Sequence, residues 1–146
     1  MNGFLLALLF LGAAAPQDSF TVKEPCLRYE PIVVRLSGTV SLRTFPGPPN
    51  YESISGGDRP EKQALLELTL PICVLGDSTS DLNQEGETDQ REVTLVPGKG
   101  MNLTQYDRVS VSVAGELFHA QTGHHRTPLL LTVESITPAR QKGPSR

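Results

Sequence analysis

The sequence lacks an excess of basic residues, a second long apolar stretch and a recognisable catalytic motif. It has 13 Lys and Arg against 16 Asp and Glu, and its pI is about 5.6. Nucleic-acid-binding domains are typically basic, so we expect no nucleic-acid partner. After residue 15, no apolar run approaches the ~20 residues of a membrane-spanning helix, so the sequence predicts no membrane span.

Nucleophilic catalysis has no signature in this chain. No Ser stands in a G-x-S-x-G turn, and neither cysteine lies in a C-x-x-C pair. The Gly56-Gly57-Asp58 turn is too short for a phosphate-binding loop and lacks its Lys. The sequence therefore favours a binding domain. An enzyme that acts on cell-wall glycans or peptides would depend on loop carboxylates alone.

An apolar run is present at the N-terminus. Phe4–Ala15 (FLLALLFLGAAA) has the length of a signal-peptide core and ends in small residues, although no Lys or Arg precedes it. A buried N-terminal strand or helix is the alternative. We predict a signal peptide over residues 1–15, one domain over residues 16–139 and a disordered tail over residues 140–146. The protein would then be periplasmic or secreted.

The chain has two cysteines, Cys26 and Cys73. An even number of cysteines fits an oxidising compartment, and a disulfide between these two would stabilise the domain by about 4 kcal/mol. Two buried free thiols are the alternative. We predict the disulfide.

Five segments alternate apolar and polar residues, which is the pattern of strands with one buried face. They are Ile32–Leu42, Ala64–Leu75, Glu92–Val96, Arg108–Leu117 and Leu129–Ile136. In the second segment the predicted inward face is Leu66, Leu68, Leu70 and Ile72. Between the third and fourth segments, Met101–Asp107 has room for one short helix.

This element order is that of an OB-fold, a small Greek-key barrel. Gly38 fits the fold because a glycine inside the first strand allows the sharp coiling that a small barrel needs. A β-sandwich is the alternative, but it usually has seven strands. The sequence predicts an all-β, five-stranded OB-like barrel with at most one short helix.

Two loops would border the ligand face of such a barrel, one between strands one and two and one between strands four and five. Here these loops are residues 44–61 and 118–128. We predict that they form a rim that binds an envelope protein, a peptide or a glycan. The candidate contact residues are Phe45, Tyr51, Glu52, Asp58, Arg59, Glu61, His119, His124 and His125. In the alternative, the aromatic side chains only plug one end of the barrel.

Metal binding is the second hypothesis. His119, His124 and His125 are the three histidines of the chain, and imidazoles that converge bind Zn²⁺ or Cu²⁺, with a carboxylate such as Asp58 or Glu52 completing the site. Adjacent histidines point apart in an extended chain, so a turn would be needed. The alternative is that the imidazoles hydrogen-bond within their loop.

The acidic run Asp77–Asp89 is a further segment that could attract a cation. Its carboxylates suit calcium, but Leu82 stands where an EF-hand loop needs glycine. The composition is typical of a solvated hairpin loop.

Several longer motifs resemble those of one family. They are Cys26-Leu27-x-Tyr29-x-Pro31, TFPGPPNYESI with GDRPE, LPICV and GELFHAQTGHHRTPLLL. Over Cys26 to Ile136 the chain resembles a family of uncharacterised exported bacterial proteins, known only as a domain of unknown function. The resemblance implies a small secreted or periplasmic β-domain and brings no reaction, substrate or cofactor. Gln121 and Arg126 stand where that family often has His, which disfavours a metal.

Overall fold

The structure is a computed structural model that describes residues 25–140. The predicted signal peptide and residues 141–146 of the predicted tail lie outside the described residues. The described part holds six strands and one 3₁₀ turn: β1 (Leu27–Arg28), β2 (Val33–Pro46), β3 (Pro60–Leu75), β4 (Glu87–Val96), the turn Leu103–Tyr106, β5 (Ser110–His119) and β6 (Leu129–Pro138). Among these residues no helix has the length and apolar character to cross a membrane.

The hydrogen bonds of strands β2 to β6 close into a ring. β2 pairs antiparallel with β3 and β5, and β5 pairs antiparallel with β6. β6 then pairs parallel with β4, and β4 pairs antiparallel with β3. The predicted all-β, OB-like architecture is confirmed. It is not a regular barrel, because the β3–β4 ladder shifts register between Glu67 and Ile72, and the short strand β1 adds a sixth member beside β3.

Gly38 lies where the pairing of β2 with β5 ends and its pairing with β3 begins. Residues 33–39 pair with β5, and residues 38–46 pair with β3. A Cβ on Gly38 would lie 2.2 Å from the carbonyl oxygen of Glu67, so the two backbones approach too closely for any side chain. The role predicted for this glycine, to let one strand serve both halves of the barrel, agrees with this contact.

Alternation explains most of the core. Val34, Leu36 and Val40 are buried on one face of β2, as predicted. The fully buried apolar side chains of the other strands include Leu65, Leu66, Val93, Val111, Val113, Leu117, Leu129 and Leu131. The prediction for Leu70 was wrong, because this residue is 71% exposed. The β2–β3 pairing ends at Leu68, so β3 extends beyond the ring where Leu70 stands.

The loops are shorter and the strands longer than predicted. The β2–β3 ladder continues to Pro46 and Pro60, so Phe45 pairs with Glu61 and the loop is residues 47–59. We call this segment the first rim loop. The segment between β5 and β6, residues 120–128, is the second rim loop. β4 begins at Glu87 rather than Glu92, so the end of the acidic run is strand.

The disulfide between Cys26 and Cys73 is present, as predicted. It joins the segment before β1 to the end of β3, where Leu27 pairs with Val74. The bond therefore holds the N-terminal end of the described chain against the end of β3.

Replacement of Gly38 by Ala tests the crossing of β2. The added methyl group meets the Glu67 carbonyl, so we expect Gly38→Ala to lower the free energy of unfolding by about 2 kcal/mol or more. Urea unfolding measures the change. Gly123→Ala is the matched control, because a Cβ there has no heavy atom within 4 Å. Equal stability of the two variants would contradict the crossing.

Candidate functional site

The first rim loop is built around the Asp58 side chain. Asp58 is 4% exposed, and its carboxylate accepts the backbone N–H groups of Asn50, Glu52 and Ser53, each at 2.8 Å. These bonds, that of Ser53 first, lower the pKa of the Asp58 carboxyl. Both carboxylate oxygens are engaged in holding the loop. Asp58 thus fixes the conformation of the first rim loop through hydrogen bonds to the loop backbone.

The second rim loop is fixed by two buried threonines. The Thr127 hydroxyl donates to the carbonyl oxygen of Leu129 at 2.6 Å. The Thr127 hydroxyl oxygen in turn accepts the backbone N–H of Thr94 at 3.0 Å and lies 2.8 Å from the Thr94 hydroxyl oxygen. Because the Thr127 proton is already used, the Thr94 hydroxyl is the donor in that pair. The end of the loop is thereby tied to β4.

The second rim loop contacts the first rim loop and the end of β2 through aromatic and cationic side chains. The Tyr51 and His124 rings stack with centroids 3.7 Å apart and planes inclined by 15°. The Arg126 guanidinium lies 4.9 Å from the centre of the Phe45 ring and donates to the carbonyl oxygen of Pro46 at 2.7 Å. Segments that are about 70 residues apart in the sequence thus meet on one edge of the ring.

A groove of about 420 Å³ opens beside this rim. Its lining is mainly apolar and includes several polar side chains; it comprises Leu42, Glu61, Lys62, Gln63, Ala64, Thr94, Leu95, Val96, Pro97, Met101, Asn102, Leu103, Thr104, His125 and Leu130. Glu61 comes from the start of β3 and His125 from the second rim loop. A volume of this size is within the range of small-molecule and side-chain pockets.

The remaining predicted contact residues have different surroundings. Glu52 and Arg59 are exposed on the first rim loop. His125 Nδ1 accepts the backbone N–H of Gln121 at 2.9 Å, which shapes the second rim loop. Arg126, which the sequence singled out only as standing where the resembled family often has His, contacts Phe45 and Pro46 at the end of β2. Its position depends on residues 80 positions away, and no local pattern indicates that.

His119 stands apart from the other two histidines. Its Nε2 lies 2.9 Å from Glu87 Oε1 and 4.0 Å from Glu85 Oε2. Ligand atoms of Glu85, Glu87 and His119 all lie within 4.8 Å of one another. In residues 25–140, no comparable group of three contains His124, His125, Asp58 or Glu52. The structure therefore does not bring the predicted three-histidine set together.

Tyr29 packs against the His119 cluster. Its ring meets the His119 ring edge-on, and its hydroxyl donates to the Glu85 carbonyl oxygen at 2.9 Å. Burial, followed by the charges of Glu87 and Glu85, raises the pKa of Tyr29 to about 12. The phenol is therefore protonated at neutral pH and remains a hydrogen-bond donor. The sequence did not indicate that Glu85 and Glu87 would join His119, because they belong to the acidic run that was expected to be solvated.

One comparison gives a partial match. A family model described as a domain of unknown function (DUF4431) matches residues 92–137. The match spans the second half of β4, the 3₁₀ turn, β5, the second rim loop and nearly all of β6. It supports the resemblance to an uncharacterised family over this part of the chain and assigns no activity. No curated protein and no solved structure matches the chain.

Replacement of Asp58 tests the origin of the first rim loop's shape. A carboxyl whose pKa is lowered on folding stabilises the fold above its unfolded pKa of about 4, and the stabilisation is lost as the pH falls through the folded value. We expect Asp58→Asn to unfold at lower urea concentration than wild type at pH 7, with the difference shrinking below about pH 4.

Glu52→Gln is the control for this experiment, since the Glu52 side chain is exposed on the same loop. It should unfold as wild type does over the whole pH range. A constant difference between Asp58→Asn and wild type from pH 7 to pH 2.5 would show that the ionised carboxylate does not organise the loop.

Proposed function

We propose that this protein is an exported binding domain whose groove beside the rim accepts an apolar side chain of a peptide or protein segment. The observation that carries the proposal is the groove itself, whose mainly apolar lining also includes polar side chains. Export is supported by the signal-peptide-like residues 1–15 and by the disulfide, since disulfides persist in oxidising compartments.

The lining favours a peptide over a glycan. Leu42, Leu95 and Met101 provide apolar walls, and sugars bind better to exposed aromatic faces. The one aromatic stack on the rim already joins Tyr51 to His124, so one face of each ring is covered.

Polar groups at the groove are suited to peptide amides. Glu61 brings side-chain oxygens, and Lys62 brings a donor. Gln63 Oε1 is buried and has no hydrogen-bond partner among residues 25–140. A ligand N–H would satisfy such an acceptor. The groove thus offers one apolar pocket and several amide-recognising groups, a pattern common in peptide-binding sites.

The rim beside the groove is rigid, and the second rim loop contributes His125 to the groove lining. Asp58 and Thr127 fix the two loops by hydrogen bonds, the Tyr51–His124 stack joins the loops, and Arg126 joins the second loop to Phe45 at the end of β2. A site that is formed before the ligand arrives loses less conformational entropy on binding. This rigidity is what a binding domain requires.

Selection from a phage-displayed peptide library on the immobilised protein tests the proposal. We expect enriched peptides that share one apolar residue, and we expect Met101→Ala to weaken their binding at least tenfold in calorimetry, because it removes part of the pocket wall. Amide shifts in NMR titrations should cluster in residues 61–64, 94–97 and 101–104.

Leu70→Ala is the matched control for Met101→Ala. Leu70 is a large apolar residue that is 71% exposed and does not line the groove. Its replacement should leave the affinity unchanged. Peptides that bind wild type and Met101→Ala equally, or the absence of any enriched peptide, would overturn the proposal.

A further inference from the structure

We propose that Glu85, Glu87 and His119 form a binding site for one zinc ion, separate from the groove. Glu85 precedes β4, Glu87 begins it, and His119 ends β5. Their ligand atoms lie within 4.8 Å of one another. Zinc lies about 2.0–2.2 Å from imidazole nitrogen and carboxylate oxygen. Ligands this close together can reach one ion with small side-chain movements.

The backbone holds both carboxylates towards the imidazole. Gly86 lies between the two glutamates, and a Cβ there would be 3.0 Å from both Gly76 N and Val74 O. The chain at Gly86 therefore packs tightly against the end of β3. The Tyr29 hydroxyl holds the neighbouring Glu85 carbonyl at 2.9 Å. Glu87 is the less exposed of the two carboxylates, with 20% of its side chain exposed against 81% for Glu85.

His119 is oriented as metal-binding histidines usually are. Its backbone N–H donates to Asn83 Oδ1 at 2.9 Å, and Asn83 is 2% exposed. Its ring Nδ1 lies 3.1 Å from the carbonyl oxygen of Ala120. A carbonyl oxygen only accepts hydrogen bonds, so this contact suits a proton on Nδ1. Nε2 faces Glu87 Oε1, which also only accepts, and a metal ion can take the place of a proton between those two atoms. A metal-ligating histidine typically donates its other N–H to a backbone carbonyl in this way.

The three ligand atoms that converge at Nε2 suit one metal ion. Nε2 lies 2.9 Å from Glu87 Oε1 and 4.0 Å from Glu85 Oε2, and each of the three atoms can offer a lone pair. A proton on Nε2 would bridge to Glu87 alone, because Glu85 at 4.0 Å is beyond hydrogen-bond distance. One metal ion can bind all three ligands.

The ligand set selects zinc over calcium and magnesium. Calcium and magnesium bind oxygen, whereas imidazole with carboxylates suits zinc. Three protein ligands leave a fourth tetrahedral position for water. Since Glu85 is largely exposed, that position faces solvent. The ion would link the β3–β4 connection to the end of β5, so binding should also raise the melting temperature.

Calorimetric titration of EDTA-treated, disulfide-intact protein with ZnCl₂ at pH 7.5 tests the site. We expect one ion per chain, a higher melting temperature with zinc, and binding at least tenfold weaker in His119→Gln and Glu87→Gln. Glu85→Gln should also weaken binding. Because the Glu85 side chain is exposed, this variant keeps the test valid if the other two fold poorly. X-ray absorption should show one nitrogen and two carboxylate oxygens from the protein.

The matched control is the double variant His124→Ala/His125→Ala, which removes the other two histidines and leaves the cluster intact. It should bind zinc as wild type does. The site would be overturned if no saturable binding occurred. It would also be overturned if Glu85→Gln and His119→Gln bound zinc as tightly as wild type, or if the double variant lost the ion.

Discussion

The close contact of two backbones at Gly38 is the constraint on which the rest of the structure depends. β2 pairs with β5 before this residue and with β3 after it. At Gly38 the strand pairs with both neighbours. This requires the backbone of β2 to come very close to that of β3, and the Glu67 carbonyl occupies the space that a Cβ on Gly38 would need. Without this crossing the ring would open, and the ends of β2 and β5 would have no common edge.

The ring determines where the two candidate sites lie. It brings the end of β2 and the start of β3 near the end of β5 and the start of β6, so the two rim loops meet beside the groove. Each loop then holds its own shape with a buried polar side chain, Asp58 in one and Thr127 in the other. The β3–β4 connection contacts His119 through Asn83, and the Tyr29 hydroxyl donates to it at Glu85. Rim and cluster thus both adjoin the end of β5.

Much of this arrangement could be predicted from the sequence, because alternation and a mid-strand glycine are local signals. Such signals predict the approximate strand positions, the role of Gly38 and the identity of the two loops. The even number of cysteines predicts the disulfide. The contacts between distant segments do not. Nothing near Arg126 indicates that it reaches Pro46, and nothing near Glu87 indicates His119. Leu70 was assigned to the core because the alternation continues after the partner strand has ended.

The ring brings the two rim loops into one surface, and the Tyr51–His124 stack is the contact that reports this. Proton NMR should show nuclear Overhauser contacts between the two rings, and the His124 ring protons should be shifted upfield by the Tyr51 ring current. Replacement of Tyr51 by Leu should return those shifts to the values of an exposed histidine. His124 ring protons at exposed values in the wild type, unchanged by Tyr51→Leu, would show that the two rim loops do not meet.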